Sequence, residues 1–116
     1  MIDWKQVYRD VDRMDAKAFA DLFAEDGTMT FGNAPPLVGR EAIREGVTGF
    51  FGSIQDLQHE FVHSWVQEGV AIHEFQATYH RRDGQSVTLP AVTVFHLDGD
   101  RVREAQVFYD PTPIFA

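Results

Sequence analysis

Glu74, Asn33, Tyr8 and His59 are the side chains whose types and positions could do chemistry. Glu74 lies in an alternating segment, on whose inward face it would be the only carboxylate. A carboxylate turned inward without a partner is desolvated, and its pKa rises toward the range of a general base. Asn33 precedes Ala34-Pro35-Pro36 and offers an amide that can orient a water or a substrate oxygen. Tyr8 adds a phenol donor, with His59 and Gln76 as polar neighbours. His59-Glu60-Phe61-Val62-His63 also fits the His-Glu-x-x-His pattern of zinc peptidases, which requires a helix. The alternation of His59, Phe61, His63 and Trp65 favours a strand instead, which holds the two histidines about 13 Å apart. No metal is therefore expected.

These residues need elements to position them. Trp4, Val7, Tyr8, Val11 and Met14 recur at helical spacing, and Asp15 can cap a second helix with Ala18, Phe19, Leu22 and Phe23 on its stripe. Glu25-Asp26-Gly27 is expected to end that helix before a short strand, Thr28 to Phe31. Pro35 and Pro36 break regular structure, and a third helix follows Gly39 with Ile43, Val47, Phe50, Phe51 and Ile54 on one face. Gly46 and Gly49 weaken it by about 1 kcal/mol each, so a close approach is expected there.

The remainder reads as strands. Asp83-Gly84 is a strong two-residue hairpin signal, pairing Arg82 with Gln85. Counted back from that turn, Glu74, Gln76 and Thr78 share the inner face with Leu89, Ala91, Thr93 and Phe95. His73, Phe75, Ala77 and Tyr79 fall on the other face. A three-residue loop at Asp98-Gly99-Asp100 would add Ala105, Val107 and Tyr109 to the inner face. Pro111-Thr112-Pro113 ends the last strand. His63, His73 and His96 are expected at surfaces or at a subunit interface.

Composition narrows the function. With 116 residues the chain forms one domain, 1–116. A formal charge of −8 disfavours nucleic acid and anionic membranes, and the absence of cysteine excludes disulfides and thiolate chemistry. MIDWKQVYRD carries no apolar run, so a cytoplasmic protein is expected. Ten Phe are generous for this length and suit either a core or an apolar pocket.

The segments LFAEDGTMTF, NAPPLVGREAI and the closing Phe108-Tyr109-Asp110, in that order of elements, resemble the nuclear transport factor 2-like superfamily. The likeness covers nearly the whole chain and is nearest to limonene epoxide hydrolase. It implies an α+β cone, three N-terminal helices packed on a strongly bent antiparallel sheet, with a pocket between them and a homodimeric assembly. Of the hydrolase's catalytic positions, the Asn matches Asn33. Its Tyr falls on Phe31, its water-holding Asp on Gln76, its bridging Arg on Glu74 and its acid on Val107, where the acid of SnoaL-like cyclases also falls. In ketosteroid isomerase the base position falls on Phe31 and the acid on Thr93, while Tyr8 matches the Tyr.

The expectation is thus a pocket for a small lipophilic molecule bearing an oxygen function, with cofactor-free acid–base chemistry of isomerase, cyclase, dehydratase or hydrolase type. Glu74 and Asn33 would be catalytic. Tyr8, Phe31, His59, Gln76, Thr78, Ala91, Thr93, Phe95, Val107 and Tyr109 would line the substrate site. The alternatives are a non-catalytic binding or assembly module and, further off, a zinc hydrolase through His59, Glu60 and His63.

Overall fold

The computed structural model describes all 116 residues. Asp3 caps α1 (Trp4–Asp12) by accepting from the Gln6 amide, and Asp15 caps α2 (Ala16–Ala20) by accepting from the Ala18 amide. There follow β1 (Phe23–Phe31), β2 (Leu37–Val38), α3 (Arg40–Gly52), β3 (Asp56–Gln67), β4 (Val70–His80), β5 (Ser86–Asp98), β6 (Arg101–Phe108) and α4 (Thr112–Phe115). The strands form one curled sheet in the order β2-β1-β6-β5-β4-β3. Helices α1 to α3 cover its concave face, and a single apolar core lies between the two layers. No helix is long and apolar enough to cross a membrane.

Several local expectations are corrected. The second helix stops at Ala20, and Phe23, placed on its stripe, instead opens β1, fully buried. Glu25-Asp26-Gly27 is an irregularity within β1, between the pairs Phe23–Val102 and Thr28–Glu104. A Cβ at Gly27 would stand 3.0 Å from the Val102 carbonyl oxygen, which is why glycine sits there. The sheet is not wholly antiparallel: β1 enters beside the last strand and runs parallel to β6. Pro111 to Pro113 does more than end a strand, because α4 starts there and buries Ile114.

The hairpin between β4 and β5 has the largest consequence. Arg81 donates to the Gln85 carbonyl at 2.7 Å, and Gly84 donates to the Arg81 carbonyl at 3.1 Å with φ +89°. The loop is therefore Arg82-Asp83-Gly84, three residues with a left-handed glycine, not the two-residue turn expected. Thr78 pairs with Thr88 and Glu74 with Val92, one position from the expected register. A slip of one residue turns every side chain of a strand to the opposite face. Ala71, His73, Phe75, Ala77 and Tyr79 are consequently buried on the concave side, and Glu74, Gln76 and Thr78 face outward.

The next hairpin reaches the expected faces by another route. Its loop is two residues, with Asp98 opposite Arg101, but a bulge at Arg103 restores the parity, so Val107 lies opposite Thr93 and Ala105 opposite Phe95.

In α3 the two glycines part company. A Cβ on Gly46 would meet Leu37 Cδ1 at 2.5 Å, whereas one on Gly49 meets nothing within 4 Å. Gly49→Ala is therefore expected to raise stability by about 1 kcal/mol, as read from a denaturant midpoint. Gly46→Ala should fall short of that gain, because Leu37 must move.

Candidate active site

The concave face and the helices enclose a cavity of about 60 Å³. A single water takes up about 10–15 Å³ of such space, so there is room for a few waters or one compact organic molecule. Its walls are aromatic and aliphatic, and the only polar side chains on them are Tyr8, His59, Tyr79, Thr93 and Tyr109. A dry apolar wall with a few convergent polar groups is what holds and orients a small ligand.

His59 is the centre of the polar set. It points inward from β3 with its side chain almost wholly buried, and its Nδ1 lies 2.5 Å from Asp12 Oδ1. The His59 main-chain N–H donates to the other oxygen of the same carboxylate, at 3.2 Å. Asp12 thus grips ring and backbone together. A carboxylate at Nδ1 makes that nitrogen the donor, which leaves Nε2 as the lone-pair nitrogen of the neutral ring. Asp12 is the last residue of α1. A negative charge there opposes the helix dipole, so helix stability does not explain its presence.

Three phenols share the cavity wall. Tyr8 is hydrogen-bonded to His73 Nδ1 at 3.2 Å, and its ring stands edge-on to His59 with centroids 5.2 Å apart. Burial raises its pKa well above the ordinary phenol value, opposed in part by a hydrogen bond with Thr93 and reinforced by the Asp12 charge. Burial pushes Tyr109 up to about 12. It raises Tyr79 further, with the neighbouring Tyr109 and Asp12 adding to the effect. All three phenols are neutral donors at any physiological pH.

Of the residues expected at the site, Tyr8, Phe31, His59, Thr93, Phe95, Val107 and Tyr109 line the cavity. Ala91 is buried on the concave face but is not part of the cavity wall. The two residues expected to be catalytic lie elsewhere. Glu74 stands on the convex face, where its Oε1 lies 3.1 Å from His63 Nδ1. Gln76 is exposed beside Pro90, and Thr78 is hydrogen-bonded to Thr88 at 2.9 Å on the same outer face. The register explains all three. Asn33 is exposed in the loop after β1 and does not reach the cavity. The His-Glu-x-x-His run lies on β3, where a bulge between Phe61 and His63 leaves His59 inward and His63 exposed. The shared helical face that zinc binding needs does not exist. His73, expected at a surface, has 0% exposure and packs among Trp4, Tyr8, Phe61 and Phe95.

Two polar residues of the site escaped the sequence reading, besides several apolar side chains of the wall. Tyr79 was assigned to the wrong face by the turn. Asp12 left one signal, its place one helical turn after Tyr8, on the same side of α1.

A curled sheet closed by three helices around an internal cavity is the cone of ketosteroid isomerase-like and nuclear transport factor 2-like proteins. The chain belongs to the SnoaL-like domain family, whose profile matches residues 4–105. A protein of ketosteroid isomerase-like fold from Catenulispora acidiphila DSM 44928, solved in complex with trimethylamine, superposes with a TM-score of 0.82 at 18% identity, over 89% of this chain and 81% of the other. A protein from Jannaschia sp. CCS1 assigned as a SnoaL-like polyketide cyclase gives 0.78 at 18% identity, over 95% and 86%. SalBIII, an epoxide hydrolase/cyclase-like enzyme of pyran ring formation in the polyether salinomycin, gives 0.80 at 21% identity, over 93% and 88%. At these identities the likeness establishes the fold alone. No curated protein matches the chain.

Proposed function

We propose that this protein binds a small lipophilic, oxygen-bearing molecule in its cavity and performs cofactor-free acid–base chemistry on it, with His59 as the base. The observation that carries this reading is the Asp12–His59 pair opening into an otherwise apolar cavity. His59 Nε2 takes a proton from a carbon next to a carbonyl, and the C–H electron pair moves through the carbonyl carbon onto oxygen. Asp12 stays ionised and holds the resulting imidazolium through Nδ1–H. In a β,γ-unsaturated substrate, return of that proton from Nε2 to the γ-carbon moves the double bond and isomerises it. In a β-hydroxy substrate the electron pair expels the hydroxyl, which leaves as water with the Nε2 proton. The solved relative that holds trimethylamine supports small-molecule binding in this fold. The test is hydrogen–deuterium exchange at the α-carbons of small ketones in deuterated water, followed by NMR. Exchange above the buffer rate that disappears in His59→Gln supports the reading; equal exchange in the two proteins refutes it.

The reading includes a homodimer formed through the convex sheet face. Trp65, Ile72, Val92, Val94 and Phe108 stand there as outward neighbours, with Trp65 51% exposed and Phe108 53%. An apolar patch of this kind is suited to self-association, against the mutual repulsion of two chains of charge −8. Sedimentation velocity is expected to show a dimer that becomes a monomer in Trp65→Glu. A wild-type monomer at tens of micromolar would remove the dimer from the reading.

A further inference from the structure

The phenols of Tyr79 and Tyr109 are not explained by the folding of the chain. Both line the cavity, and Tyr79 is only 4% exposed. Of the three phenols there, only the Tyr8 hydroxyl is hydrogen-bonded within the protein, to His73. Neither the Tyr79 nor the Tyr109 hydroxyl is sealed away from solvent, so both are open to donate to a molecule in the cavity. Phenylalanine would fill the same space without offering those donors.

We infer that Tyr79 and Tyr109 are the paired donors to the substrate's carbonyl oxygen, and that the substrate is a compact, uncharged ketone or aldehyde. This deepens the proposal above and rests on His59 acting in the same cavity. The sheet register supports the placement. His59 lies opposite Ala77, and Leu57 lies opposite Tyr79, so His59 and Tyr79 are diagonal neighbours on the concave face. The main-chain positions of such neighbours stand about 7–8 Å apart, so both side chains can reach one small molecule in the cavity they share. One end of the cavity can then take the proton while the other receives the charge arriving on oxygen.

The charge of the substrate follows from the walls. They carry no Lys or Arg. A carboxylate or phosphate would be desolvated with no cation to meet it, and the Asp12 carboxylate behind His59 would repel it. The volume of about 60 Å³ limits the size.

The test compares binding of cyclohexanone, methylenecyclohexane and cyclohexanecarboxylate by ligand-detected NMR. The first two have nearly the same shape and differ in the acceptor oxygen. The wild-type protein is expected to prefer the ketone by about tenfold or more, with the preference lost in a Tyr79→Phe, Tyr109→Phe double variant that melts as the wild type does. Absence of the preference in the wild type, or its survival in the double variant, overturns the donor pair. Binding of the carboxylate as tightly as the ketone overturns the uncharged substrate. His59→Gln separates this inference from the proposal it rests on: it should keep the ketone preference while losing α-exchange. Retained exchange would sink the base and leave the donors standing.

Discussion

Acidification from pH 7 to pH 4 is expected to destabilise the fold by about 2–3 kcal/mol through His73 alone. Burial lowers the pKa of this imidazole from 6.5 to about 4. Its Nδ1 meets the Tyr8 hydroxyl, its Nε2 has no partner, and aromatic rings surround it. In the unfolded chain the ring takes up a proton below about 6.5, whereas in the folded protein it resists until about 4. Between those values the unfolded state binds more protons, so stability rises with pH. The contribution is fully lost only below the folded value. NMR titration of the His73 ring protons should place its midpoint near 4, and His73→Phe should flatten the pH dependence of the denaturant midpoint between pH 4 and 6.5. A midpoint near 6.5 would contradict the burial that defines this part of the core.

The second large effect concerns the base. His59→Gln is expected to lower α-proton exchange by about 10²–10⁴-fold, the usual worth of a positioned general base. Asp12→Asn should cost a similar factor by a different route. An amide can donate to Nδ1, which moves the ring proton to Nε2 and leaves no lone pair facing the cavity. The two losses should not add, because both disable one proton transfer. An Asp12→Asn, His59→Gln double variant is expected to match the worse single variant. Additive losses would mean that Asp12 acts on the substrate independently of His59. Binding of cyclohexanone should survive in all three variants, which separates a chemical defect from a collapsed pocket.

How much of this was legible before folding depends on the distance over which each feature is specified. The cap Asp15, the stripes of α1 and α3 and the strand at His59 all follow from residues within one or two turns of each other. The cone followed from the order of those elements. The active face of β4 did not. It turned on whether Asp83-Gly84 closes a loop of two residues or three, and that single residue exchanged Glu74 for Phe75 and Thr78 for Tyr79 at the cavity. β6 was safer only because its bulge at Arg103 cancelled the error in its loop.

The sequence by itself determined the architecture, the acidic surface and an aromatic pocket containing Tyr8, Thr93 and Tyr109. Periodicity and composition are local, and they survive small errors of register. Only the tertiary structure decided which polar groups meet. Asp12 and His59 lie 47 residues apart, and nothing in either neighbourhood announces the other. Helix packing against the concave sheet brings them to hydrogen-bonding distance, while one residue of strand register sends Glu74 out to solvent. A pairing of that kind depends on long-range geometry, to which residue types and spacing are blind.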